Sequence, residues 1–221
     1  MLDTAVNEFL SMVDHCHSMY GRAGLAMWGL AEVETVRTEV FERDILVNKA
    51  ERAVRKAIVG HLAVNPSSET TLCLILMSAA KDAERIGDYC KNMMDRPSYH
   101  AAGADENEIV SESKRLQKLI DSFFPDVVQA FRESDETVGA ALLKREREAT
   151  RACDRVVEQI LDAPGLSNRQ VVTYTLAARY HKRIAAHLGN IASSLVMPLH
   201  KLDYFDEQYL PGQRPDDSDD S

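Results

Sequence analysis

With 221 residues the chain can hold one large domain or two small ones around a real core. Its 35 acidic residues against 26 basic ones give a net charge of -9, which argues against direct binding of a polyanionic nucleic acid without a dense basic patch. The only basic groups are short, such as Lys144, Arg145 and Arg147, and read as an exposed helix face. Glycine (10) and proline (7) are sparse, and Pro66, Pro97, Pro164, Pro198, Pro211 and Pro215 sit at predicted boundaries or in the tail. That scarcity favours long helices. The four cysteines, Cys16, Cys73, Cys90 and Cys153, show no metal-knuckle spacing and suit a reducing compartment. The first residues lack a signal-peptide pattern, and no apolar run is long enough to span a bilayer. The expectation is a soluble, cytoplasmic protein with no direct membrane insertion.

In chain order, Leu2, Val6, Phe9, Leu10 and Val13, then Ala23, Met27 and Leu30, recur at helical spacing, with a bend allowed at Gly21 and Gly24. After a break near residues 31–34, Val36, Val40, Val47, Ala50, Val54, Ile58 and Leu62 form one buried stripe on a long second helix. Asn65-Pro66 stops it, and Ser67 or Ser68 is placed to cap the third helix. That helix runs to about Asp95 and turns Leu72, Leu76, Ala79, Ala83, Ile86 and Cys90 inward. Residues 96–105 form a midpoint, after which the layout repeats. Ile109–Arg132 reads as one helix and Glu136–Asp162 as another. Ala163-Pro164-Gly165 breaks the chain, and Ser167 or Asn168 caps a last helix running to about Val196. The tail beyond is acidic and low in hydrophobicity, with disorder expected.

The result is all-α: six long antiparallel helices in two three-helix bundles. An internal repeat supports the grouping, since Arg85, Ile86 and Asn92 recur as Arg183, Ile184 and Asn190 at one constant offset. The expected units are residues 1–97, residues 104–199 and a tail over 200–221.

Few residues carry chemistry. Glu84 and Asp88 share one face of the third helix, and Asp44 and Asn48 share one face of the second. If those helices pack antiparallel, the pairs form an oxygen-rich patch suited to a hard or borderline cation. Lys81, Arg85 and Lys91 flank the same carboxylates, however, and ordinary ion pairing answers the pattern equally well. The spacing leaves both readings open. His15 and His17 point apart, as do His181 and His187. Trp28, Met12, Met19, Met27 and Met77 fall at core spacings. No nucleophile–base pair, phosphate loop or dinucleotide fingerprint is present, so nothing positive supports an enzyme.

The segment Ala83-Glu-Arg-Ile-Gly-Asp-Tyr-Cys-Lys-Asn92 resembles the signature of the PhoU family, and Asp44-Ile-Leu-Val-Asn48 resembles that family's acidic second-helix motif. Asp154–Leu161 and Arg183–Ile191 resemble the corresponding helices of a second repeat. The resemblance implies two three-helix repeats and a non-catalytic regulator of phosphate uptake and phosphate-starvation signalling. Its implied partners are a phosphate ABC transporter ATPase subunit, a phosphate sensor histidine kinase, or both, with a homodimer left open. It also implies a divalent or iron ion or cluster on Asp44, Asn48, Glu84 and Asp88, and no other cofactor.

The second repeat departs from that pattern. Lys182 stands where Glu84 would recur, Ala186 replaces Asp88 and Thr150 takes the earlier acidic position beside Asp154. Metal is therefore expected only in the first repeat. Competing readings are an accessory PhoU-like domain of a sodium-coupled or Pit-type phosphate transporter and a helical metal-storage protein. A metal-dependent phosphohydrolase would need a general base that the sequence does not offer.

Overall fold

The computed structural model describes residues 2–65, 69–95, 107–197 and 199, and every regular element among them is helical. The expected caps Ser67 and Ser68, the midpoint at 96–105 and the acidic tail lie outside the described residues, as do most of the expected unit boundaries. The chain runs α1 (Leu2–Met27), α2 (Val33–Val64), α3 (Thr70–Met94), α4 (Glu108–Asp121), α5 (Phe123–Glu133), α6 (Glu136–Asp162) and α7 (Asn168–Val196).

α1 continues through Gly21 and Gly24, so the allowed bend does not interrupt it. Gly24 instead gives room to α4. A Cβ there would lie 1.7 Å from Gln117 Nε2, and the Gln117 amide oxygen accepts a 2.7 Å hydrogen bond from the buried Trp28 indole. Gly29 then takes a positive φ of 70°, a conformation glycine reaches without a Cβ clash, and the helix ends. The Glu32 carboxylate receives the free N–H groups of Glu34 and Thr35 and starts α2.

The expected helix over Ile109–Arg132 is broken into α4 and α5 at Ser122. The cause is the seventh proline. Pro125 has no N–H to give to the Asp121 carbonyl, so the ladder is interrupted one turn before it. Ser122 keeps right-handed helical angles (φ -69°, ψ -12°), which makes the break a kink within one rod. Arg145 of α6 closes over that kink. Its guanidinium donates to Ser122 Oγ at 2.6 Å, pairs with Asp126 and lies 4.9 Å from the Phe123 ring centroid. With α4 and α5 counted as one kinked rod, six helical rods remain.

α6 and α7 follow the expected bounds. Asp135 caps α6, Gly165 turns at φ 80°, and Ser167 with Gln170 forms a reciprocal capping box on α7. α1, α2 and α3 pack on one another, and α4/α5, α6 and α7 do the same. The two groups meet mainly along α3 and α7, with α1 also touching α4 and α5. The core carries Phe9, Tyr20, Leu76, Ile86, Phe123, Phe124 and Tyr174, all fully enclosed. Met77 alone among the expected core methionines and Trp28 stays partly exposed.

Trp28 is the sole tryptophan, so its emission reports the α1–α4 contact directly. Gln117→Leu leaves the buried indole N–H without an acceptor. We expect a changed emission maximum and a loss of about 1–3 kcal/mol in urea unfolding. Unchanged emission contradicts the contact.

Candidate functional site

The expected site residues sit where α2 and α3 lie side by side, but they are not gathered into one cup. Asp44 is buried on α2, and its Oδ2 accepts from Asn48 Nδ2 at 2.9 Å, one helical turn away. The same Oδ2 meets Lys91 Nζ of α3 at 3.0 Å, and Lys91 also meets Asp88 Oδ1 at 2.8 Å. Asp44 and Asp88 are thus brought together through a lysine ammonium. Glu84 is held apart by Lys81 at 2.6 Å, on its own helix. Glu84 and Asp88 line a shallow hollow of about 290 Å³ on α3, whereas Asp44 lines a different one of about 420 Å³ on α2.

Among the described residues no three histidine, cysteine, aspartate or glutamate side chains cluster in a way that could hold a metal ion. Asp44 Oδ1 is buried without a hydrogen-bond partner, the one feature that would welcome a further cation. Set against it, the other carboxylate oxygens named here already face an ammonium. The expected metal set Asp44, Asn48, Glu84 and Asp88 does not fit a resident metal in this arrangement. Partial burial opposes the charge on Lys91, but its hydrogen bonds to Asp88 and Asp44, with their charges, outweigh that and raise its pKa above the usual lysine value. In the second repeat Lys182 Nζ of α7 lies 2.7 and 2.6 Å from the two oxygens of Asp154 on α6.

Two buried polar groups between the repeats were not singled out from sequence as partners. Asp82 Oδ1 of α3 bonds His187 Nδ1 of α7 at 2.7 Å and accepts from Asn190 Nδ2 at 3.1 Å. The offset that maps Asn92 onto Asn190 also maps Asp82 onto Tyr180 and Tyr89 onto His187. The symmetry mate of the Asp82–His187 pair is therefore Tyr89–Tyr180, and those rings do meet, with centroids 6.3 Å apart. Tyr89 also stacks on His187 at 5.7 Å. The repeat alignment set His187 and Asn190 opposite Tyr89 and Asn92, but it did not say that the two helices meet through them.

Deeper in the same seam Tyr20 Oη of α1 and His181 Nδ1 of α7 are 2.8 Å apart, both fully buried. His181 and His187 do diverge, as their spacing required. The four cysteines are buried and free, and burial pushes the Cys153 thiol up to about 12 and raises those of Cys16 and Cys90 as well. Such thiols are poor nucleophiles at neutral pH. A cavity of about 670 Å³ opens between the start of α4 and the end of α6, lined by Arg155, Glu158 and Asp162 among others. It contains no histidine, serine or cysteine side chain.

The profile of the PhoU domain matches residues 9–96 and again 114–195. The chain belongs to the PhoU family. The fold is similar to that of the phosphate transport system regulatory protein PhoU from Streptococcus pneumoniae, with a TM-score of 0.77, 19% identity, and 88% of this chain and 93% of that one covered. It is equally similar to PhoU from Pseudomonas aeruginosa, with a TM-score of 0.78, 19% identity, and coverage of 88% and 95%. Among curated proteins no sequence match is found. No helix among the described residues is long and apolar enough to cross a membrane.

His181 gives this PhoU chain an acid-sensitive core. Burial lowers its pKa from 6.5 to about 4, so the unfolded chain takes up that proton first. The stability contributed by the neutral imidazole is complete above pH 6.5 and is lost as pH falls toward 4. The loss amounts to about 3 kcal/mol at one pK unit per 1.36 kcal/mol. We expect His181→Phe to remove this slope from unfolding measured between pH 7 and 4, and an unchanged slope contradicts the assignment.

Proposed function

We propose that this PhoU chain restrains phosphate uptake and phosphate-starvation signalling in the cytoplasm by binding other proteins, without catalysis. The observation that carries the reading is the match of both halves of the chain to the PhoU domain. The fold likeness to a protein described as a phosphate transport system regulator agrees with it. The partners proposed are the ATPase subunit of a phosphate ABC transporter and a phosphate sensor histidine kinase.

The chemistry of the molecule supports an adaptor. Its conspicuous polar groups are engaged in holding helices together, through Lys91, Lys182 and His187. No nucleophile–base pair faces a cavity among the described residues named above. The net charge of -9 favours a partner that docks through a basic face, with association weakening as salt rises.

The test is a strain lacking this chain, assayed for phosphate uptake and for phosphate-starvation gene expression in phosphate-replete medium. Loss of the chain should raise both, and complementation should restore both. Purified ATPase subunit should bind the chain at low salt and release it at high salt. Unaltered uptake and signalling in the deletion strain contradict the proposal.

A further inference from the structure

The α2–α3 seam raises an electrostatic question that is independent of the phosphate reading. Asp44, Glu84 and Asp88 set three carboxylates along two adjacent helices, and Asp44 and Asp88, which share one ammonium, are like charges that need a counter-charge. A metal ion is one answer. This chain provides another. Lys91 reaches from α3 to Asp44 of α2, at 3.0 Å, and back one turn to Asp88, at 2.8 Å. Lys81 takes Glu84 at 2.6 Å. Two ammonium groups thus face the three carboxylates, and Arg85 lines the same hollow as Glu84 and Asp88.

The second repeat reaches the same end from another position. Under the internal repeat, Lys91 corresponds to Gly189, and Lys182 corresponds to Glu84. Yet Lys182 also runs from the third helix of its group to an acid on the second, meeting both oxygens of Asp154. Two lysines at non-equivalent positions perform equivalent closures. A shared ancestral pairing does not explain that, whereas a common need for a cation between the second and third helices does.

We propose that Lys91 is the resident cation of the first repeat, so that this PhoU chain closes its α2–α3 seam with its own side chain and works without a bound metal. A divalent ion entering between Asp44 and Asp88 must first displace Lys91. Its ligands would then be Asp44, whose Oδ1 is already buried and unpartnered, with Asp88 and the Asn48 amide oxygen. Removing the lysine side chain should therefore uncover a cation site that the natural chain keeps filled.

The experiment uses the full chain, wild type beside Lys91→Met, Lys91→Arg and Lys91→Met/Asp44→Asn, with Mn²⁺ as the probe. Mn²⁺ binding is followed by electron paramagnetic resonance, thermal unfolding with and without the ion, and metal content by elemental mass spectrometry on protein purified without chelator. Wild type should emerge without stoichiometric metal and bind no Mn²⁺ at up to about 1 mM, the weak end of oxygen-ligand cation sites. Lys91→Met should unfold at a lower temperature and recover on adding Mn²⁺. Lys91→Arg should keep the wild-type behaviour. Lys91→Met/Asp44→Asn should regain stability without Mn²⁺ and ignore the ion, which keeps the proposal testable if Lys91→Met does not fold. Stoichiometric metal in the wild type, lost on Asp44→Asn/Asp88→Asn, overturns the proposal. So does a Lys91→Met protein whose stability is unchanged, or one whose lost stability Mn²⁺ does not restore.

Discussion

The structure depends on the double burial of α3 and α7. Each packs within its own three-rod group and against the other across the seam between the groups. A helix covered on two sides has little water to offer its polar side chains, so a carboxylate or imidazole there must find its partner within the protein. Asp82 finds His187 and Asn190, His181 finds Tyr20, and buried Asp44 finds Lys91, whereas Lys182 and Asp154 join α7 to α6 nearer the surface. These groups fix how the helices sit, because each bond joins one helix to another.

The same constraint gives the two repeats different characters on one backbone plan. Where the first repeat crosses the seam with Asp82 and Tyr89, the second answers with Tyr180 and His187. The result is a carboxylate–imidazole hydrogen bond on one side of the pseudo-twofold and a tyrosine pair on the other.

Much of the fold was legible in the sequence because it follows from period and punctuation. The stripe from Val36 to Ile58 is the buried face of α2, and α6 and α7 begin at Asp135 and Ser167, side chains suited to hold free N–H groups. The break at Ser122 was missed because the apolar period runs on through it, while Pro125 three residues later removes a bond the period cannot register. The family was legible in the segment around Glu84-Arg85-Ile86-Gly87-Asp88, and the match of both halves agrees. The site was legible only as residue types. Asp44, Asn48, Glu84 and Asp88 do lie along one pair of helices, but spacing does not say which flanking cation a carboxylate will choose. Lys91 sits three residues from Asp88 and reads as a surface pair. Its reach across to Asp44 depends on the packing of α2 against α3, which no local pattern states. The Asp82–His187 bond spans 105 residues and is equally invisible to local reasoning.

The central claim is that internal lysines, and not bound metal, close the polar seam beside α3. The most direct measurement is denaturant unfolding of the wild-type chain in excess chelator and in excess Mn²⁺. The account predicts the same midpoint in both. A midpoint that falls in chelator and is restored by Mn²⁺ would contradict it.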